Sequence, residues 1–227
     1  MFGRWIKMIS LLTAAVLCAG GLLLEVSAAS FPDVADNAWY DEAVKWAVKS
    51  GTASGRGGYF KPDDVCTRAE AVAFLYKLAG SPEVSGTSAF PDAAEGDWFF
   101  KPVIWAVEKG ITSGYGRKDG AQLFSPNVPC SRAMIVTFIQ RFAAMEGKYK
   151  EPEKTYAMTF PDVPENAWYR GTVRWAAEAG ITNGKGDGTF CPLEGCSRAQ
   201  IVGFLYNYSK FSGKSEDIEL PEITIGK

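Results

Sequence analysis

Apolar and polar residues alternate along this chain with a helical period in three stretches. Each stretch is followed, after a turn-rich interval, by a short and nearly unbroken apolar run. In the first, Tyr40, Val44, Ala47 and Val48 fall on one helical face, with Asp41, Glu42, Lys45 and Lys49 largely on the other. Gly51 comes next, where a helix-ending glycine belongs. The apolar runs are Ala71-Val72-Ala73-Phe74-Leu75, Ile135-Val136-Thr137-Phe138-Ile139 and Ile201-Val202-Gly203-Phe204-Leu205. Thr67, Ser131 and Ser197 stand just ahead of them as N-caps, their hydroxyls able to accept an early helix N–H. Glu70 and Gln200, three residues beyond the cap, complete a capping box; Met134 in the second copy cannot. The pattern therefore predicts helix, loop, helix, three times over. Helix pairs this short cannot bury their apolar faces alone, so the three units are expected to share one core.

The units align in detail. Phe31-Pro32-Asp33, Phe90-Pro91-Asp92 and Phe160-Pro161-Asp162 open them. Eight residues on stands Trp39, Trp98 or Trp168, followed by an aromatic; seven further stands Trp46, Trp105 or Trp175; then comes Gly51, Gly110 or Gly180. The second set of tryptophans falls in mid-helix and is expected in the core. A loop of variable length follows and ends in Phe60-Lys61-Pro62, Phe124-Ser125-Pro126 or Phe190-Cys191-Pro192. It is longest in the second unit, through Gly116-Arg117-Lys118-Asp119-Gly120, which marks a surface tip. Gly80–Ala89 and Gly147–Thr159 read as linkers, which gives units at 29–80, 88–146 and 158–211 and a flexible tail at 212–227.

Residues 1–28 read as a secretory signal peptide. Arg4 and Lys7 precede an apolar stretch from Met8 to Leu24, and Val26-Ser27-Ala28 supplies small residues for cleavage. Leu17 before Cys18 argues against a lipoprotein signal, and after cleavage no stable membrane span is expected. The whole chain carries 24 basic and 26 acidic residues; losing Arg4, Lys7 and Glu25 with the leader shifts its net charge from −2 to −3. No general basic field exists to recruit nucleic acid, so an anion would have to be bound by local geometry. The chain has no histidine, which removes the commonest general base and the commonest zinc ligand. No catalytic residue, metal site or cofactor is expected.

One motif sits awkwardly for a helix start. Arg68, Arg132 and Arg198 each fall in a first helical turn, where the helix dipole disfavours a cation. Two explanations are open: an anion held jointly by the guanidinium and the helix N–H groups, or a structural ion pair. Arg132 is expected to contribute least, because its helix lacks the capping-box partner and its loop is longest. Cys66, Cys130 and Cys196 share one repeat position and read as small buried side chains, while Cys191 and Cys196 are close enough in sequence to form a disulfide.

The series Phe-Pro-Asp, Trp-Tyr, Trp-Ala, Gly-Ile-Thr-x-Gly, Phe-x-Pro and Thr-Arg-Ala-Glu resembles the S-layer homology (SLH) domain in a set of three, over about residues 31–211. Unit one departs with Gly51-Thr52-Ala53-Ser54-Gly55, and unit two with Ser131-Arg132-Ala133-Met134. The resemblance implies a mainly helical, pseudo-threefold spindle with a shared central bundle. It also implies non-covalent binding of a secondary cell-wall polysaccharide, typically carrying pyruvate ketals on N-acetylmannosamine, with S-layer proteins as further partners at the cell surface. The ligand-binding residues it points to are Arg68, Arg132 and Arg198, with Asp33, Asp92 and Asp162 and with Trp39, Trp98 and Trp168. A pyruvate ketal presents a carboxylate on a sugar, which suits a planar bidentate donor beside an apolar platform. The aspartates have a second reading, as caps of the turns that follow them. Two alternatives to a wall-binding module stay open: an exported wall-acting enzyme with paired carboxylates, and the anchor part of a longer protein.

Overall fold

The computed structural model describes residues 31–153 and 160–214. The leader expected at 1–28 and all but the first three residues of the tail lie outside the described residues. The fold is mainly α. Its helices are α1 (Asp41–Lys49), α2 (Arg68–Leu78), α3 (Phe100–Glu108), α4 (Arg132–Met145), α5 (Arg170–Glu178) and α6 (Arg198–Ser212). A two-stranded hairpin, β1 (Arg117–Lys118) with β2 (Ala121–Gln122), lies between α3 and α4. It is the insertion of the second unit, turned by Asp119 and Gly120, both at positive φ as a two-residue hairpin turn requires.

The local signals act as their chemistry dictates. Thr67 and Ser197 close capping boxes with Glu70 and Gln200, whereas Ser131 accepts only from the Met134 N–H. Gly51, Gly110 and Gly180 follow the outer helices at φ between 68° and 72°, the left-handed geometry that ends a helix. Trp46, Trp105 and Trp175 are buried.

Packing then crosses the repeat. Helix α2 of the first unit packs on α3 of the second, α4 of the second on α5 of the third, and α6 of the third on α1 of the first. Helices α2, α4 and α6 form the centre, where Leu75, Ile135, Ile139, Phe142, Leu205 and Tyr208 are fully enclosed. Residues 68–76 of α2 are buried without a break, as befits a helix covered on all sides. The outer helices α1 and α5 bury one face each.

Where the inner helices begin, the backbone closes a ring. Cys66 N–H donates to Cys196 O (2.9 Å), Cys130 N–H to Cys66 O (2.9 Å) and Cys196 N–H to Cys130 O (2.8 Å). Arg68, Arg132 and Arg198 then donate their N–H to Val128, Glu194 and Asp64, each in the next unit around the ring. Ala69, Ala133 and Ala199 do the same to Pro126, Pro192 and Pro62. These carbonyls consume the first free N–H groups of every inner helix. The helix N-termini are therefore not available to an anion, which removes that half of the expected anion site.

The disulfide expected between Cys191 and Cys196 does not form; both thiols are free. Cys196 is fully buried beside the ring, whereas the Cys191 sulfur lies 3.2 Å from Thr189 Oγ1. Cys66 and Cys130 are free and buried, in line with the sequence reading.

Candidate functional site

Each unit folds its loop back onto its own opening tripeptide. The Asp33 carboxylate accepts the N–H of Phe60 (2.9 Å) and of Lys61 (2.6 Å). Asp92 does so for Phe124 and Ser125, both at 2.8 Å, and Asp162 for Phe190 (2.9 Å) and Cys191 (2.6 Å). The clamped residues Lys61, Ser125 and Cys191 have φ between 54° and 59°, an unfavourable conformation for non-glycine residues that these bonds hold in place. The aspartates thus cap no local turn; they join segments 27 to 33 residues apart. At the other end of each loop, Phe31, Phe90 and Phe160 press on Gly55, Gly114 and Gly184. A Cβ at Gly184 would stand 2.4 Å from the Phe160 ring and 2.6 Å from Thr189 O.

The arginines leave their own units. Arg68 Nε donates to Phe124 O (3.0 Å) of the second unit, Arg132 Nε to Phe190 O (2.5 Å) of the third, and Arg198 Nε to Phe60 O (3.0 Å) of the first. All three are at most 3% exposed. Each guanidinium lies between two phenylalanine rings, with Cζ about 5 Å from each: Phe124 and Phe138, Phe190 and Phe204, Phe60 and Phe74. Burial pushes Arg68 and Arg198 below the ordinary arginine range. These side chains support the fold, and Arg132 and Arg198 also line grooves. The expectation that Arg132 contributes least rested on its own helix and loop, whereas its guanidinium faces the third unit instead.

The first tryptophan of each unit is the opposite case. Trp39, Trp98 and Trp168 are 64–70% exposed, each set edge-on against the next aromatic, Tyr40, Phe99 or Tyr169. Two grooves bring these parts together. One, of about 890 Å³, runs along α2 and joins Ser54, Arg56 and Glu70 of unit one with Trp98 of unit two and Arg198 of unit three. The other, of about 430 Å³, runs along α6 and joins Lys185, Gln200 and Asn207 of unit three with Trp39 of unit one and Arg132 of unit two. Each groove therefore takes its arginine, its walls and its tryptophan from three different units. Trp168 precedes α5, which packs on α4, the remaining inner helix. The aspartates sit at the loop bases and line neither groove.

Sequence reading missed one residue set: Arg56, Tyr115 and Lys185, each directly after the loop glycine at 55, 114 or 184. The fixed Gly-x-x-x-Gly spacing makes their equivalence visible, but nothing local shows that they meet an arginine of another unit. The Tyr115 ring lies 5.1 Å from Arg68 Cζ, and Arg56 pairs with Glu70.

A ring of three helix–loop–helix units, closed on itself and grooved at the junctions between units, defines a helical repeat module with exposed aromatic rims. The chain matches the S-layer homology domain three times, at residues 30–72, 89–133 and 159–202, and it belongs to that family. It is similar to the S-layer protein sap of Bacillus anthracis, 28% identical over 207 residues, 89% of this chain and 24% of that protein. It is similar to the cellulosome-anchoring protein of Acetivibrio thermocellus, 28% identical over 66% of this chain and 33% of that protein. A third relative is an amylopullulanase of Thermoanaerobacterium thermosulfurigenes, 28% identical over 81% of this chain and 10% of that protein. The chain thus spans between a tenth and a third of the length of these relatives.

Proposed function

We propose that this chain is a cell-surface anchoring module that binds an anionic, pyruvate-bearing secondary cell-wall polysaccharide without a covalent bond. The observation that carries the reading is the groove composition: a buried guanidinium at the base and an exposed indole at the rim, supplied by different units. A ketal carboxylate is matched by the planar arginine fork, and the C–H face of a pyranose by the indole. In this reading the anion is received by a member of the set Arg68, Arg132 and Arg198 whose groove leaves it open, and Trp39, Trp98 and Trp168 serve the sugar rings. Asp33, Asp92 and Asp162 act indirectly, by holding each loop against its groove. Repeated grooves on one polymer add avidity, so weak single contacts suffice.

The names of the S-layer and cellulosome-anchoring relatives support a place in the cell envelope and association with S-layer proteins. The amylopullulanase is matched over a tenth of its length, so its name says nothing of this chain's own chemistry. That short coverage favours a second reading alongside the first, in which this module is the anchor part of a longer protein.

Purified wall sacculi test the proposal. The protein is expected to sediment with intact sacculi and to stay in solution once the secondary polymer is removed. The triple change Trp39→Ala, Trp98→Ala, Trp168→Ala touches only exposed rims and should abolish sedimentation while leaving the helical spectrum intact. Equal sedimentation with stripped sacculi would overturn the reading.

A further inference from the structure

The three junctions differ in what their arginine already has. Two residues into each inner helix stand Glu70, Met134 and Gln200, at equivalent positions. Along α2, Glu70 gives Oε2 to the Thr67 N–H (2.8 Å) and Oε1 to both Arg56 and Arg198, the latter at 3.7 Å. Arg198 Nη2 also donates to Ser54 O at 3.0 Å. Each nitrogen of this guanidinium thus has a partner within the protein, Nε on Phe60 O, Nη2 on Ser54 O and Nη1 on a carboxylate shared with Arg56. Against α4, Arg68 Nη1 lies 3.7 Å from the Met134 sulfur, and Tyr115 adds a third ring over Cζ, beyond the two phenylalanines. Its Nη2 has no partner among the described residues, but Arg68 lines neither of the two grooves.

Along α6 the situation is different. Gln200 gives its Oε1 to the Ser197 N–H (3.0 Å), so the atom equivalent to Glu70 Oε1 is an amide NH2, a donor that cannot accept from a guanidinium. Arg132 is 3% exposed, its Nη2 has no partner among the described residues, and it lines the 430 Å³ groove. Among the described residues, none lining that groove carries a carboxylate. Glu194, close enough to feel the Arg132 charge, is itself held by Lys185 at 2.6 Å. The free oxygen of Asn207, whose NH2 donates to Ile181 O (3.1 Å), adds an acceptor for a sugar hydroxyl. A buried guanidinium nitrogen left without an acceptor is costly, and an incoming carboxylate removes that cost.

We infer that the residue at this helix position decides which groove receives the ligand's anionic group. Gln200 leaves the α6 groove, with Arg132, as the open anion acceptor; Glu70 occupies the acceptor of the α2 groove; Arg68, against α4, lines neither groove. This rests on reading the ligand as an anionic wall polymer, and it names the groove and the selecting residue.

The test exchanges the two residues: Gln200→Glu and Glu70→Gln. Each change installs a residue that already caps an equivalent helix in the same chain, so the fold is retained and circular dichroism checks it. Binding is read on two probes. One is wall sacculi. The other is the methyl glycoside of the pyruvate ketal of N-acetylmannosamine, titrated calorimetrically beside its neutral methyl ester. Wild type should take one equivalent of the acid and bind the ester at least about tenfold more weakly. Q200E should lose roughly ten- to hundredfold for the acid, and E70Q should gain a second equivalent. On sacculi, Q200E should bind more weakly than wild type and E70Q more tightly. If Q200E binds the acid as wild type does, or E70Q keeps a single site, the assignment is overturned. Should wild type bind sacculi but neither form of the sugar, the pyruvate reading fails by itself. The groove assignment is then decided on sacculi, where unchanged binding by both variants rejects it.

Discussion

At the scale of single residues, the cysteines of the ring are the most constrained side chains. Cys66, Cys130 and Cys196 are fully buried, and their backbones bond to one another around the junction of the three units. Burial pushes the thiols of Cys66 and Cys196 up to about 12, and that of Cys130 up as well. In the unfolded chain they ionise near their ordinary value of 9. Between those values the unfolded state has lost protons that the folded state keeps, so stability is present below pH 9 and is lost as pH rises toward 12. The melting temperature is expected to stay level from pH 7 to 8 and to fall steadily above 9. The triple change to alanine should flatten that fall; an unchanged slope would assign it to other groups. In native protein, Cys191, which is only half-buried, should be alkylated well before the other three.

At the scale of elements, the loops depend on a clamp rather than on their own sequence. A segment rich in glycine has little reason to hold one shape, yet each is fixed at its far end by two charge-assisted bonds to an aspartate of the opening tripeptide. Asp92→Ala is expected to cost about 2–3 kcal/mol, from losing both bonds at Phe124 and Ser125. Asp92→Asn should cost about half as much, since the amide keeps one acceptor and opposes the second N–H with its own NH2. Urea unfolding measures both. A loss below about 0.5 kcal/mol for the alanine variant would mean that the loop is held by its ring packing alone.

At the scale of the whole molecule, the repeat of the sequence is not the unit of packing. Each inner helix is covered by the outer helix of the following unit, and α6 returns to cover α1. Each arginine likewise reaches forward, with Arg198 of the last unit closing on Phe60 of the first. Such a ring has no stable partial form: removing the third unit bares α1, the far side of α4 and the Phe60 loop together. A chain ending at Glu153 is therefore expected to lose its cooperative thermal transition, not to melt as a smaller stable domain. A sharp transition in calorimetry of residues 29–153 would show that two units suffice.

Much of this was determined by the sequence alone. The apolar periods, hydroxyl caps and terminal glycines set the six helices of the described residues, because those preferences act within a few residues. Mid-helix Trp46, Trp105 and Trp175 were legible as core, and the spaced motifs were legible as S-layer homology repeats. What tertiary structure decided was every relation between units. It spent the helix N–H groups on the next unit's carbonyls and sent each arginine into a neighbour's loop. It kept Cys191 away from Cys196, although five positions separate them in sequence. Above all it put Gln200 beside Arg132 and Glu70 beside Arg198, side chains about 70 and 130 positions apart. Local preference has no hold over such distances; closing the ring to bury three apolar helices does, and the grooves are where that closure leaves its seams.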